Sequence, residues 1–171
     1  QSVGNAKRMA SEALSDIRRS VSALRESQDS FSLEQSLHEL VDNMENSPFS
    51  IELEIEGEET GFSKQSLLTL YRAAQEGLTN VQKHAQAHHV TVRAELVGEE
   101  AKLHISDDGQ GFDLAILQDL PPGQGRGYGL MGVQERLALI RGYFKLESQP
   151  NAGTNLFITV PKSPLALGDV G

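Results

Sequence analysis

Residues Leu67–Ala85, LLTLYRAAQEGLTNVQKHA, form the stretch around which the rest of the chain is organised. Leu67, Tyr71, Ala74, Leu78, Val81 and Ala85 recur at spacings of four and three, the period of a helix with one buried face. At about 100° per residue, Glu76, Asn80 and Lys83 point the other way, with His84 on their flank. A carboxylate, an amide, an ammonium and an imidazole therefore gather within two turns. An ordinary solvated face has the same make-up. Two glycine-rich runs later in the chain give it weight: a DDGQG turn at Asp107–Gly111 and a GRGYGL loop at Gly125–Leu130, each beside regular structure.

Working outward, Ser63 is placed to cap this helix, and Gly57–Gly61 is a turn. Before that turn, FSIELEIE at Phe49–Glu56 alternates apolar and polar residues, the pattern of a half-buried strand. Further back, Leu33, Leu37, Leu40 and Met44 mark a helix that Asp29 or Ser30 caps and that stops near Asn46-Ser47-Pro48. At the start, Ala10, Leu14, Ile17, Val21 and Leu24 make a heptad-like seam in Val3–Arg25. Such a strict, narrow seam is read as half of a bundle or a dimer contact rather than as a helix on its own core. After the central helix, His89–Val97 and Glu100–Asp107 alternate around Gly98-Glu99 as a hairpin. Tyr128–Arg141 is helical in period and ends at Gly142; Tyr143–Ser148 and Thr154–Val160 are two last strands. The tail from Lys162 is expected to fray. This order does not suit alternating βαβ units. It predicts an α/β two-layer sandwich, a mixed and mainly antiparallel sheet covered by helices on one face, preceded by a long N-terminal helix.

Composition narrows the function. The chain has 171 residues, 38% hydrophobic and 23% charged, which suits a globular protein with a real core. No apolar run approaches the ~18 residues of a membrane span, and no leader resembles a signal peptide. The lack of cysteine excludes disulfides, thiolate metal sites and a cysteine nucleophile. A net charge of −9 argues against sequence-independent nucleic-acid binding. Opening on Gln1 rather than Met, the sequence reads as a piece of a longer, cytoplasmic protein or cytoplasmic part.

Three glycine clusters carry the chemistry. In Asp107-Asp108-Gly109-Gln110-Gly111 the glycines let the backbone turn and a ligand approach, while an aspartate can accept a hydrogen bond from an amino group. A plain Asp-Gly turn looks the same. Gly125–Leu130, entering a helix, offers main-chain N–H groups and a helix dipole to phosphate. It is neither the dinucleotide fingerprint, having no βαβ unit around it, nor a Walker loop, having no GK[ST]. Gly153-Thr154 precedes the last strand.

In this order, Glu76-x-x-x-Asn80-x-x-Lys83-His84, Asp107-x-Gly109-x-Gly111, Gly127-x-Gly129-Leu130 and Gly153-Thr154 resemble the Bergerat-type ATP-binding domain shared by histidine kinases, Hsp90, DNA gyrase and MutL. Within that superfamily, YRAAQEGLTNVQKHA, GLMGVQERLALIRG and SDIRRSVSALR look like sensor histidine kinases of the nitrate-sensor and lipid-fluidity-sensor class. The resemblance covers nearly the whole chain. It implies ATP and Mg²⁺ as ligands, with Asn80 as the magnesium ligand, an oxygen donor suited to a hard cation. It implies Glu76 as the group that polarises the nucleophile, with Lys83 and His84 beside the phosphates. Asp107 would read the adenine amino group, with Thr154 bonded nearby. Gly109, Gly111, Gly127, Gly129 and Leu130 would shape the pocket and cradle, Arg126 would reach a phosphate, and Phe112–Arg126 would form a lid.

Residues 1–27 would then be the second helix of the dimerising hairpin, 28–161 the catalytic domain and 162–171 a flexible tail. The implied activity is transfer of the ATP γ-phosphoryl group to a histidine for relay to a response regulator, in a homodimeric parent. The acceptor belongs to a hairpin helix expected ahead of these residues. His38, His88, His89 and His104 read as structural or surface residues. Other readings are a gyrase- or MutL-like hydrolytic domain, in which Glu76 activates water, or a nucleotide-binding regulatory module without turnover. An anti-sigma serine kinase would lack the N-terminal heptad helix.

Overall fold

Residues 31–115 and 128–163 are described by a computed structural model, and all but Phe31 lie in one unit that begins at Ser32. The expected N-terminal helix Val3–Arg25, the caps Asp29 and Ser30, Arg126, Gly127, most of the lid and the tail beyond residue 163 lie outside the described residues. In chain order the elements are α1 (Leu33–Asp42), β1 (Ser50–Gly57), α2 (Lys64–Asn80), a π-helical turn (Val81–Ala85), β2 (His89–Val97), β3 (Glu100–Asp107), α3 (Tyr128–Leu139), β4 (Tyr143–Ser148) and β5 (Thr154–Pro161).

The strands form one sheet in the order β1-β2-β3-β5-β4. Three of its four pairings are antiparallel: the two expected hairpins, β2 with β3 and β4 with β5, and the long-range pairing of β3 with β5. The pairing of β1 with β2 is parallel, so β1–α2–β2 is a βαβ crossover and the sheet is mixed, mainly antiparallel, as expected. Parallel neighbours need a long connection, and α2 with its π-turn supplies it.

Successive rows of the covered face are apolar. Val92, Ile105, Leu156 and Leu146 make one row, and Ala94, Leu103, Ile158 and Phe144 the next. Helix α2 lies over β3 and β5, with α1 against β1 and α3 against β4. Leu67, Leu70, Ala74 and Leu78 of α2 are buried there, as are Val133 and Leu137 of α3. The opposite face is polar. There Arg93 on β2 donates to Glu54 on β1 at 2.6 Å. His104 stacks on Phe157 with ring centroids 4.3 Å apart, and its Nε2 lies 2.9 Å from Asn155 Oδ1.

Several ends differ from expectation. Helix α1 is capped by Ser32, whose Oγ accepts from the Gln35 amide at 3.2 Å. At the end of α3 the left-handed residue is Arg141, with φ of 55°, and Gly142 donates to the Leu137 carbonyl at 2.8 Å. Lys162, expected to fray, is tied down. Its amide donates to the Glu99 carbonyl at 2.8 Å, and its own carbonyl accepts from Ser63 at 2.7 Å. The expected Ser63 cap of α2 is present, with Oγ accepting from the Ser66 amide at 3.1 Å.

Ser66 is fully buried, and its hydroxyl donates to the Pro161 carbonyl at 2.6 Å, joining the start of α2 to the end of β5. Ser66→Ala removes the hydroxyl that this half-buried carbonyl accepts from and to which Ser63 Oγ donates at 2.9 Å, at a cost of about 1 kcal/mol. The expected result is a lower urea midpoint with an unchanged slope in equilibrium unfolding.

Candidate functional site

At one end of the covered face the apolar rows stop. The last row is Val90, Asp107, Thr154 and Ser148 on β2, β3, β5 and β4. Strand alternation that buries Leu103 and Ile105 also turns Asp107 inward, and it is only 8% exposed. Its Oδ1 accepts from the Gly109 amide at 2.9 Å. Burial pushes the Asp107 carboxyl above its ordinary value. Hydrogen bonds from Gly109 and from the main chain and hydroxyl of Thr154 oppose the rise, and the charge of Asp108 adds to it.

Asp108 faces outward and does a different job. Its Oδ1 accepts from the amides of His88 at 2.7 Å and His89 at 2.9 Å, and its Oδ2 meets His89 Nδ1 at 2.8 Å. The amide and ring of His89, with the His88 amide, hold Asp108 well below the usual carboxylate range. Two adjacent aspartates are thus pushed in opposite directions, one by desolvation and one by donors.

The loop after β3 closes the site's edge. Gln110 donates from its amide to the Ala85 carbonyl at 2.7 Å and from its side chain to the His84 carbonyl at 2.6 Å. These bonds receive the end of the π-turn, where Gln86 takes a left-handed φ of 54°. Gly109 accepts from the Gly153 amide at 3.0 Å, and Gly111 passes against the Gln149 carbonyl. Gly153, at φ of 71°, lies so close to the Asp107 carbonyl that a side chain there would collide with main chain. Ser148 Oγ accepts from the Phe112 amide at 2.9 Å, donates to the Gly153 carbonyl at 2.9 Å and lies 3.1 Å from Thr154 Oγ1.

Glu76 and Asn80, one turn apart on α2, are half-buried rather than facing bulk solvent. The Glu76 carboxylate occupies the space that a Cβ on Gly129 would fill. Gly129 is the second residue of α3, so the carboxylate sits at that helix's positive end. Leu130 beside it is half-buried. Lys83 and His84 fall in the π-turn and are exposed. The continuous α-helix expected to Ala85 therefore loosens at Val81, and these two residues leave the regular spacing from Glu76 and Asn80. Arg126 and Gly127 lie outside the described residues. Two residues now seen at the site, Ser148 and Gln110, were not picked out from the sequence. The signal for Ser148 was present: Phe144, Leu146 and Ser148 share one parity of an alternating strand.

Residues 65–164 match the protein family described as histidine kinase-, DNA gyrase B-, and HSP90-like ATPase. The chain belongs to that family. It is similar to the signal transduction histidine-protein kinase/phosphatase DegS of Bacillus subtilis (strain 168), with 33% identity over 63% of this chain and 27% of that protein. It is also similar to the signal transduction histidine-protein kinase/phosphatase UhpB of Salmonella typhimurium, with 34% identity over 85% of this chain and 28% of that protein. The chain thus spans under a third of the length of either relative. In fold it matches the Erythrobacter litoralis EL346 blue-light activated histidine kinase at a TM-score of 0.54 and 20% identity, over 74% of this chain and 41% of that one.

The α/β two-layer architecture expected from the sequence is that of this ATPase family. Of the residues expected at the nucleotide, Asp107 is a buried acceptor bonded to the Gly109 amide, Gly153 packs against the Asp107 main chain and Gly129 against the Glu76 carboxylate. For a metal, the described residues hold no cluster of three or more His, Cys, Asp or Glu side chains. The amide oxygen of Asn80 fits a hard cation whose other ligands are phosphate oxygens and water.

Because the Asp107 carboxyl titrates above its unfolded value, its contribution to stability is fully present below that value and is lost as pH rises through the folded pKa. Asp107→Asn keeps an oxygen to accept from Gly109 and removes the buried charge. Thermal melts of the variant and the parent should converge near pH 3 and separate towards pH 7, with the variant the more stable.

Proposed function

We propose that this chain is the ATP-binding catalytic part of a sensor histidine kinase, delivering the γ-phosphoryl group of ATP to a histidine on a dimerisation hairpin for relay to a response regulator. The observation that carries it is the Glu76 carboxylate seated on Gly129 at the start of α3, one helical turn from Asn80, in a fold that also buries Asp107. Magnesium-bound ATP supplies the phosphoryl group. In the transfer, a ring nitrogen of the acceptor histidine bonds to the γ-phosphorus as the bond to the bridging oxygen breaks, and ADP departs. Glu76 holds the proton of the far ring nitrogen, directing the attacking lone pair. Asn80 contributes one oxygen to magnesium, and Asp107 accepts from the adenine amino group.

Lys83 and His84 belong to this reading as the cation and imidazole near the phosphates. Arg126 and Gly127 belong to it through the GRGYGL run alone. Residues 1–27 would supply the second hairpin helix, and the working parent would be a homodimer. No helix among the described residues is long and apolar enough to cross a membrane. A cytoplasmic place follows from the proposal, since ATP and response regulators are found there.

The direct test is calorimetric titration of the chain with ATP, with magnesium and with chelator. Asn80→Ala should abolish most of the magnesium-dependent gain in affinity; an unchanged gain removes Asn80 from the metal site.

Glu76→Gln should bind ATP normally but slow phosphoryl transfer to a supplied acceptor hairpin by about 10²-fold or more. Gly129→Ala suits a helix, yet its methyl displaces the Glu76 carboxylate, so transfer should slow likewise. The double variant should be little slower than either single one, because both act on one group. Fully additive losses would separate Gly129 from Glu76, and ATP hydrolysis without transfer would favour a gyrase-like role.

A further inference from the structure

Strand β1 is an edge of the sheet, paired with β2 on one side and, among the described residues, with no strand on the other. The Ser50 amide donates to the His88 carbonyl at 2.9 Å, and the Glu58 amide to the Leu96 carbonyl at 3.3 Å. In a parallel pair, every second residue of a strand bonds to the neighbour. Glu52, Glu54 and Glu56 therefore turn their main chain towards β2, and Ile51, Leu53 and Ile55 turn theirs away. These three present a row of N–H and C=O groups that no described residue bonds.

Both faces of this edge are unfinished as well. On the covered side, Val90, Val92 and Ala94 of β2 are at most 2% exposed, yet their neighbours Ile51, Leu53 and Ile55 are only half-buried. On the other side stand Glu52, Glu54 and Glu56. Arg93 pairs with Glu54, whereas Glu52 and Glu56 are exposed and form no salt bridge among the described residues. Between Ser32 and Thr60 the sequence has nine acidic residues and no lysine or arginine. The net charge of the whole chain is −9, so acids and bases balance elsewhere, and the excess lies on α1, β1 and the turns beside them.

We propose that the outer edge of β1 is a docking site for an extended segment of a partner protein in which apolar and basic residues alternate. Paired there as an added strand, the segment bonds the outward amides and carbonyls of Ile51, Leu53 and Ile55. Its apolar side chains continue the rows that those residues leave half-covered, and its lysines or arginines lie beside Glu52 and Glu56. A second copy pairing β1 with β1 would set glutamate against glutamate, so the same charges select against self-association. Docking here does not depend on the nucleotide site.

The test is titration of the whole chain with a blocked synthetic peptide of alternating lysine and valine, read by calorimetry and amide hydrogen exchange. The peptide should bind. The Ile51, Leu53 and Ile55 amides should exchange quickly in the free chain and slow about tenfold with peptide at about ten times its dissociation constant. A peptide of the same composition, with its lysines first and its valines after, should bind about tenfold more weakly. Glu52→Gln combined with Glu56→Gln should weaken the alternating peptide about threefold and flatten its salt dependence. Leu53→Pro removes one outward amide without touching a β1–β2 bond, and should weaken the peptide about tenfold. The glutamine variant and the reordered peptide serve where the proline variant does not fold. No binding, equal affinity for the two peptides, or binding that leaves the three amides unslowed overturns the proposal. Slowing of those amides with rising chain concentration and no peptide would give the edge to a second copy, and overturns it too.

Discussion

A carboxylate placed in the last row of an apolar sheet face sets the terms for everything around it. Asp107 is on the inward parity of β3, so the rule that buries Leu103 and Ile105 buries it as well. Desolvation disfavours its charge, and a donor must be brought to it. The DGQG turn supplies the Gly109 amide, and β5 supplies Thr154. Both demand close main-chain packing, which explains the glycine at 153 pressed against the Asp107 carbonyl.

The other half of the site depends on α2. Its apolar stripe fixes the helix over β3 and β5, and that in turn decides which way Glu76 and Asn80 look. Gly77 brings the helix so near the sheet that Ile105 Cδ1 lies 2.6 Å from where a methyl would stand. At its far end the helix loosens into a π-turn whose last carbonyls are taken by Gln110. Insertion of a π-turn inside a helix often marks a functional site, because it turns side chains away from the regular spacing. Here it carries Lys83 and His84 outward while Glu76 and Asn80 stay half-buried.

Much of this was legible in the residues alone. The alternation of Phe49–Glu56, His89–Val97, Glu100–Asp107 and Thr154–Val160 marks strands because side chains there have a period of two, and each appears close to its expected bounds. The stripe in Leu67–Ala85 reads as a buried helix face for the same geometric reason, with a period of about 3.6. Less legible were features that need a partner distant in sequence. The parallel pairing of β1 with β2 joins strands separated by a whole helix, and local pattern carries no sign of it. Ser32 as the cap of α1 is settled by the helix's position: its hydroxyl also reaches Glu59 at 3.0 Å, 27 residues on.

The sequence by itself determined which residues are apolar on which period, and hence the elements, the single covered sheet face and the membership of Glu76, Asn80 and Asp107 in one ATP-binding family. Those follow from local geometry and from motif spacing. Tertiary structure alone decided that Glu76 rests on Gly129, that Gln110 receives the end of α2, and that Ser148, Thr154 and Asp107 share a row. Each of these is a meeting of atoms from separate strands, loops and helices. Such meetings depend on register and on angstrom-scale packing, which no one-dimensional pattern contains.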